Sequence, residues 1–181
     1  MNVTPTAIAD VLILEPRVLK DTRGLFYESY NANTFSLATG LREVFVQDNH
    51  SRSTKGVLRG LHYQLQQPQG KLVRVVRGAV FDVVVDIRRA SPTFGKWVGV
   101  ALTEDNQRQL WVPPGFAHGF VVMSELADVL YKTTAHHAPD DERCLAWNDS
   151  TIGIDWPINE PPHLAAKDQR GQLLVNAEVF T

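Results

Sequence analysis

The stretch Lys71-Leu72-Val73-Arg74-Val75-Val76-Arg77-Gly78-Ala79-Val80-Phe81-Asp82-Val83-Val84-Val85-Asp86 decides the fold. Two runs rich in β-branched residues meet at Gly78, which reads as a tight turn or bend between strands. Side chains alternate along a strand, so Val83, Val85 and Ile87 share one face while Asp82, Val84 and Asp86 share the other. Downstream, Val112-Pro113-Pro114-Gly115 forces a turn before His118 and Phe120.

Outward from this hairpin, short β-branched and aromatic runs alternate with Gly and Pro punctuation along the whole chain. That pattern favours an all-β sandwich or barrel. Strands are expected at Val11–Leu14, Gly24–Tyr30, Val44–Ser51, Val57–Gln64, Lys71–Arg77, Ala79–Arg88, Trp97–Leu102, Gln109–Val112, Gly119–Met123 and Asp128–Thr133, and around Cys144–Trp147. One short helix is expected at Asn33–Thr39, with Asn33 as its cap. No repeat, long linker or shift in composition divides the sequence, so residues 1–181 are expected to form a single domain. A small barrel with polar residues projecting into its mouth accommodates these features, and such mouths are favoured ligand sites.

A chain of 181 residues can bury roughly 70% of its unfolded surface without disulfides or a structural metal. The formal net charge of −2 argues against a nucleic-acid partner, so any anionic ligand must be held by local positive charge. The apolar runs, such as Val83-Val84-Val85, are too short to span a membrane, and Met1–Asp10 lacks the pattern of a signal peptide. The single cysteine, Cys144, cannot form an internal disulfide, which suits a reducing cytoplasm. It reads as a plain strand cysteine, since Arg143 and Leu145 offer no activating base.

Four regions carry chemistry. His62, in Arg59-Gly60-Leu61-His62-Tyr63-Gln64, is a candidate base because imidazole titrates near neutrality; alternation places it with Gly60 and Gln64, opposite Arg59 and Leu61. Lys71 follows the Pro68-Gln69-Gly70 turn and suits the support of an enolate oxygen. Tyr131 can deliver a proton, and Asp168, in Lys167-Asp168, can fix the tautomer of a histidine ring. Each also has an ordinary structural reading: a strand histidine, a solvated lysine, a backbone-bonded tyrosine and a turn aspartate.

A metal site needs two histidines one residue apart followed by a glutamate, if the Pro113–His118 segment is taken as the second half of the cupin metal pattern. His62 is followed by Tyr63 and Gln64, and adjacent strand residues His136 and His137 face opposite ways. Fewer than three ligands make a poor catalytic metal site, so no metal is expected.

The chain resembles the dTDP-4-dehydrorhamnose 3,5-epimerases, cofactor-free members of the cupin-like group that act in dTDP-L-rhamnose synthesis. The resemblance runs from about Ile13 to Asp168. It rests on Asp21-Thr22-Arg23-Gly24-Leu25-Phe26, Gln47-Asp48-Asn49-His50-Ser51, Gly56-Val57-Leu58-Arg59-Gly60-Leu61-His62 and the Gly78–Arg88 strand. It continues through Ser91-Pro92-Thr93-Phe94-Gly95, Pro114-Gly115-Phe116-Ala117-His118-Gly119-Phe120, Asp155-Trp156-Pro157 and Lys167-Asp168. It implies a cupin-like jelly-roll barrel with short peripheral helices. It further implies a dTDP-4-keto-6-deoxyhexose substrate, no cofactor, and a homodimer in which N-terminal strands pair with the partner's sheet.

By the same resemblance, His62 is the base, Asp168 its partner, Tyr131 the acid on the opposite face and Lys71 the enolate support. Arg23, Phe26, Glu28, Gln47, Asn49, Arg59, His118, Glu142 and Lys167 match substrate-binding positions, with Arg23 and Arg59 facing the diphosphate. One departure is His137, which stands where the family has a tyrosine stacking on thymine; imidazole offers less stacking area. Related enzymes that epimerise only C3 or only C5 differ around this region, so a mono-epimerase is the nearest alternative. A metal-dependent cupin and a non-catalytic sugar-nucleotide binder are the more distant ones.

Overall fold

The computed structural model describes Met1–Thr181. In chain order its elements are β1 (Asn2–Pro5), β2 (Leu12–Glu15), β3 (Leu19–Asp21), β4 (Gly24–Phe26), α1 (Ala32–Thr39), β5 (Gln47–Thr54), β6 (Leu58–Gln64), β7 (Lys71–Arg77), β8 (Ala79–Asp86), β9 (Trp97–Thr103), β10 (Gln109–Val112), β11 (Phe116–Val122), β12 (Leu126–Thr133) and β13 (Glu142–Cys144). Two single 3-10 turns lie at Pro139–Asp141 and Asp168–Arg170. No helix is long and apolar enough to cross a membrane.

The strands pair into a six-stranded sheet, β1-β2-β10-β7-β12-β5, and a five-stranded sheet, β13-β6-β11-β8-β9. Strands β5 to β12 alone give the orders β5-β12-β7-β10 and β6-β11-β8-β9, which are two interlocked Greek keys and hence a jelly roll. The two sheets do not close on each other, so the expected barrel is an open sandwich. The hairpin β3-β4 belongs to neither sheet.

Burial explains why β8 is almost continuously apolar. Val80 and Val84 enter the core between the sheets, with Val73, Val75, Leu110, Phe120 and Val129. Val83, Val85 and Ile87 point the other way, beneath the C-terminal segment that brings Trp156, Leu174 and Ala177. Both faces of this strand are therefore covered, and each buried valine contributes about 1.5–3 kcal/mol relative to exposure. The alternation expected from sequence is the one observed.

A third apolar cluster joins Leu14, Leu72 and Trp111 to Phe35 of α1, whose ring meets Trp111 edge-on at 5.7 Å. The cap of α1 is Asn31 rather than Asn33. Asn31 is extended (φ −148°, ψ 124°), and its side-chain oxygen accepts from the backbone N–H groups of Asn33 and Thr34. Asn33 already lies within the helix and cannot serve. Several strand bounds differ from expectation because pairing partners set them. β5 covers Gln47–Thr54, matching β12 residue for residue, and the expected Gly24–Tyr30 strand stops at Phe26 with its hairpin. The expected Cys144–Trp147 strand is instead Glu142–Cys144, paired with β6.

Candidate active site

His62 sits on β6, next to the edge of the five-stranded sheet, flanked across the ladders by Cys144 on β13 and His118 on β11. The pairing of β6 with β11 slips by one residue here: His62 faces His118 and Arg59 faces Phe120, so three steps on β6 span two on β11. This bulge corrects the simple alternation, since Arg59 and His62 both line the same cavity. Two glycines make the slip possible. Gly60 has φ +116°, and a Cβ there would come within 2.6 Å of the Gly119 Cα; a Cβ on Gly119 would come within 2.6 Å of the Arg59 carbonyl oxygen.

The imidazole of His62 is held from two sides. Its Nε2 lies 2.6 Å from Oδ1 of Asp168, which the second 3-10 turn buries to 2% exposure. A carboxylate can only accept, so the neutral ring carries its proton on Nε2 and leaves Nδ1 unprotonated. Nδ1 lies 3.7 Å from Oε1 of Glu142. A second pair lies alongside: Nε2 of His118 is 2.8 and 3.0 Å from the two oxygens of Asp82, a carboxylate with no solvent exposure.

The facing sheet supplies Lys71 and Tyr131. Lys71 opens β7, and its buried ammonium donates to the His62 carbonyl across 3.2 Å. Burial lowers its pKa to about 8, against the opposing pull of Glu142 and Asp82. Tyr131 on β12 also lines the cavity, and burial raises its phenol above the ordinary value, so it is protonated at neutral pH. Glu142 ties the rim together, with Oε1 2.6 Å from Lys167 Nζ and Oε2 3.1 Å from His137 Nε2. Burial works to raise the Glu142 carboxyl, but the bonds from Lys167 and His137 and the nearby His62 hold it below its usual range.

These residues surround one cavity of about 490 Å³, which gathers His62, Lys71, Tyr131 and Asp168 with Gln47, Asn49, Arg59, His118, His137, Glu142 and Lys167. Arg23, Phe26 and Glu28 are not part of it. Arg23 and Phe26 stand on the β3-β4 hairpin, which projects from the sheets: the Arg23 side chain is 88% exposed and pairs with Asp21, and Phe26 is 71% exposed. Glu28 is engaged at the start of α1 by Asn31 and Thr34. Within the chain, then, Arg59 and Lys167 are the cations lining the cavity beside Lys71.

Sequence reasoning gave Asp82 no part in the site. A lone charge inside the apolar run Phe81–Val85 was the available signal for Asp82, since a buried carboxylate needs a partner. Cys144 stands beside the His62–Asp168 pair: its Sγ lies 4.0 Å from Asp168 Oδ1, and burial with that charge pushes the thiol up to about 12, in keeping with a structural strand cysteine. The donor atoms of His62, Cys144 and Asp168 lie within 4.8 Å of one another, close enough to raise a metal site. The geometry suits a hydrogen-bonded pair better. Ligands about 2.0–2.3 Å from a tetrahedral ion sit well over 3 Å apart, whereas Nε2 and Oδ1 are 2.6 Å apart.

A family described as dTDP-4-dehydrorhamnose 3,5-epimerase matches residues 5–176. A dTDP-4-dehydrorhamnose 3,5-epimerase of Pseudomonas aeruginosa is 58% identical over 180 residues, 99% of each chain. A Legionella pneumophila dTDP-6-deoxy-D-glucose-3,5-epimerase, crystallised with dTDP-4-keto-L-rhamnose, superposes with a TM-score of 0.96 at 51% identity, covering 98% of this chain and 94% of that one. A 3′-monoepimerase of Streptomyces bikiniensis in complex with dTDP-quinovose is also similar, with a TM-score of 0.89 at 32% identity over 97% and 88% of the two chains. With a family match across almost the whole sequence, and relatives this similar in sequence and in cupin-like jelly-roll fold, the chain belongs to the dTDP-4-dehydrorhamnose 3,5-epimerases, isomerases of dTDP-rhamnose biosynthesis.

Proposed function

We propose that the cavity binds dTDP-4-dehydro-6-deoxy-D-glucose and inverts it at C3 and C5, giving dTDP-4-dehydro-L-rhamnose. The observation that carries this reading is an imidazole on one sheet, bonded to the buried carboxylate of Asp168, that shares a single cavity with a protonated phenol on the other sheet. Nδ1 of His62 takes the proton from the carbon beside the ketone, while Asp168 holds the ring and stabilises the imidazolium that forms. The electron pair moves to the C4 oxygen, where the Lys71 ammonium meets the developing enolate. Tyr131 returns a proton to the opposite face, and solvent exchange restores both groups. A proton leaves and a proton returns, so the reaction is redox-neutral and consumes no cofactor.

Arg59 and Lys167 are the groups suited to the diphosphate, and His137 to the thymine. The exposed hairpin with Leu19, Arg23, Leu25 and Phe26 supports a homodimer, in which a second copy lays this apolar and cationic surface against the open cavity. The single free thiol suits a reducing cytoplasm.

A mono-epimerase is the second reading, because one relative has that activity and His137 replaces the stacking tyrosine. The higher identity to 3,5-epimerases favours double inversion. Incubation with dTDP-4-keto-6-deoxyglucose in D2O, followed by NMR, tests it. Deuterium is expected at both C3 and C5, and His62→Ala is expected to abolish this exchange while leaving dTDP binding intact. Label at one carbon alone establishes the mono-epimerase, and undiminished exchange in His62→Ala removes His62 from its role.

A further inference from the structure

Four polar side chains follow one another on the inward face of β5: Gln47, Asn49, Ser51 and Ser53. The ladder sets them opposite Thr133, Tyr131, Val129 and Ala127 of β12. Three of the four have side-chain partners. Gln47 donates to Asn49 at 2.9 Å and accepts from the backbone N–H of His137 at 2.9 Å, and Ser53 accepts from Arg59 Nε at 3.0 Å. Ser51 has none: its Oγ is buried and makes no hydrogen bond with any other group of the protein, although Ser51 lines the cavity.

Two glutamine oxygens share this condition, those of Gln107 and Gln109, but each of these amides is anchored through its nitrogen to a backbone carbonyl, of Glu104 and Ser29 respectively. In Ser51 both the donor and the acceptor capacity of the hydroxyl are unused. A serine ordinarily finds a nearby backbone group, and a buried hydroxyl without a partner is a cost to the fold that alanine at the same place would not carry. The hydroxyl lies between the Asn49–Tyr131 pair and the Ser53–Arg59 pair. With Tyr131 at the reacting carbon and Arg59 at the diphosphate, the part of a ligand lying between them is the hexose near its anomeric carbon.

We infer that Ser51 is a recognition residue for the sugar, its hydroxyl turning about the Cα–Cβ bond from this closed-off position to exchange a hydrogen bond with a hydroxyl or ring oxygen of the hexose rather than with the nucleotide. This rests on reading the cavity as a sugar-nucleotide site. It assigns to the reaction a residue that touches the hexose without moving a proton.

The test is Ser51→Ala, with three readouts beside the wild type: kinetics on dTDP-4-keto-6-deoxyglucose, calorimetric binding of dTDP-glucose and of dTDP, and melting temperature without ligand. One lost neutral hydrogen bond predicts about a tenfold rise in KM with kcat little changed, and about a tenfold weaker Kd for dTDP-glucose. The Kd of dTDP is expected to stay within about twofold, and the melting temperature to equal or exceed that of the wild type, because no bond within the protein is lost. Equal weakening of dTDP and dTDP-glucose, or weakening of neither, overturns the proposal. So does a lowered melting temperature accompanied by general loss of function, which marks Ser51 as structural. Should the wild type show no exchange in D2O, the epimerase reading fails, while the contrast between dTDP-glucose and dTDP still decides whether Ser51 meets the sugar.

Discussion

At the scale of single residues, the pKa of Lys71 links burial to reactivity. An ammonium confined between two sheets loses hydration, and the carboxylates of Glu142 and Asp82 restore only part of it, leaving the pKa at about 8. Enolate support requires the charged form, so kcat is expected to fall as pH rises through about 8. Lys71→Met is expected to lower kcat about 100-fold or more and to remove that limb from the pH–rate profile. A limb that persists unchanged in the variant assigns it to another group. The linked effect on stability has the opposite direction. The unfolded chain binds this proton more tightly, so Lys71 opposes folding below about pH 8, and that penalty is relieved between about 8 and the ordinary lysine value of 10.5.

At the scale of elements, the active geometry depends on the close approach of β6 and β11. Gly60 and Gly119 meet backbone to backbone beside the bulge that turns both Arg59 and His62 towards the cavity. In Gly119→Ala the new Cβ must displace the Arg59 carbonyl, and displacements near 1 Å at a reacting group cost up to about 100-fold. A fall in kcat of at least about tenfold is expected, with a stability loss of about 1–3 kcal/mol in denaturant titration. Wild-type kcat in this variant shows that the contact does not position His62. These two glycines also mark where the sequence was legible and where it was not. The turn at Gly78 and the alternation of Val83, Val85 and Ile87 follow from strand periodicity, which is local. A bulge depends on which residue of another strand lies opposite, so alternation counted along β6 assigned Arg59 to the wrong face. The cap of α1 was misplaced for a related reason, since two asparagines stand two residues apart and only the backbone conformation distinguishes them. The partnership of His62 with Asp168 spans 106 positions, and no local pattern joins them; family resemblance did.

At the scale of the whole molecule, each sheet contributes what the other lacks. Nothing along the chain shows that Arg23, Phe26 and Glu28 stand apart from the cavity, because their motif is contiguous with the rest and their distance from it is a matter of tertiary path. The exposed hairpin predicts a particle of twice 20.2 kDa by light scattering. It also predicts that Phe26→Ala raises KM about tenfold, although Phe26 touches no part of its own chain's cavity; a 20.2 kDa particle with unchanged KM contradicts the dimer. The central claim is that His62 on one sheet and Tyr131 on the other act on opposite faces of one planar intermediate, and Tyr131→Phe in D2O tests it directly. NMR of the recovered dTDP-4-keto-6-deoxyhexose is expected to show deuterium entering with retained configuration while inversion slows by about 10²–10⁴-fold. Inversion at the wild-type rate in that variant contradicts the account.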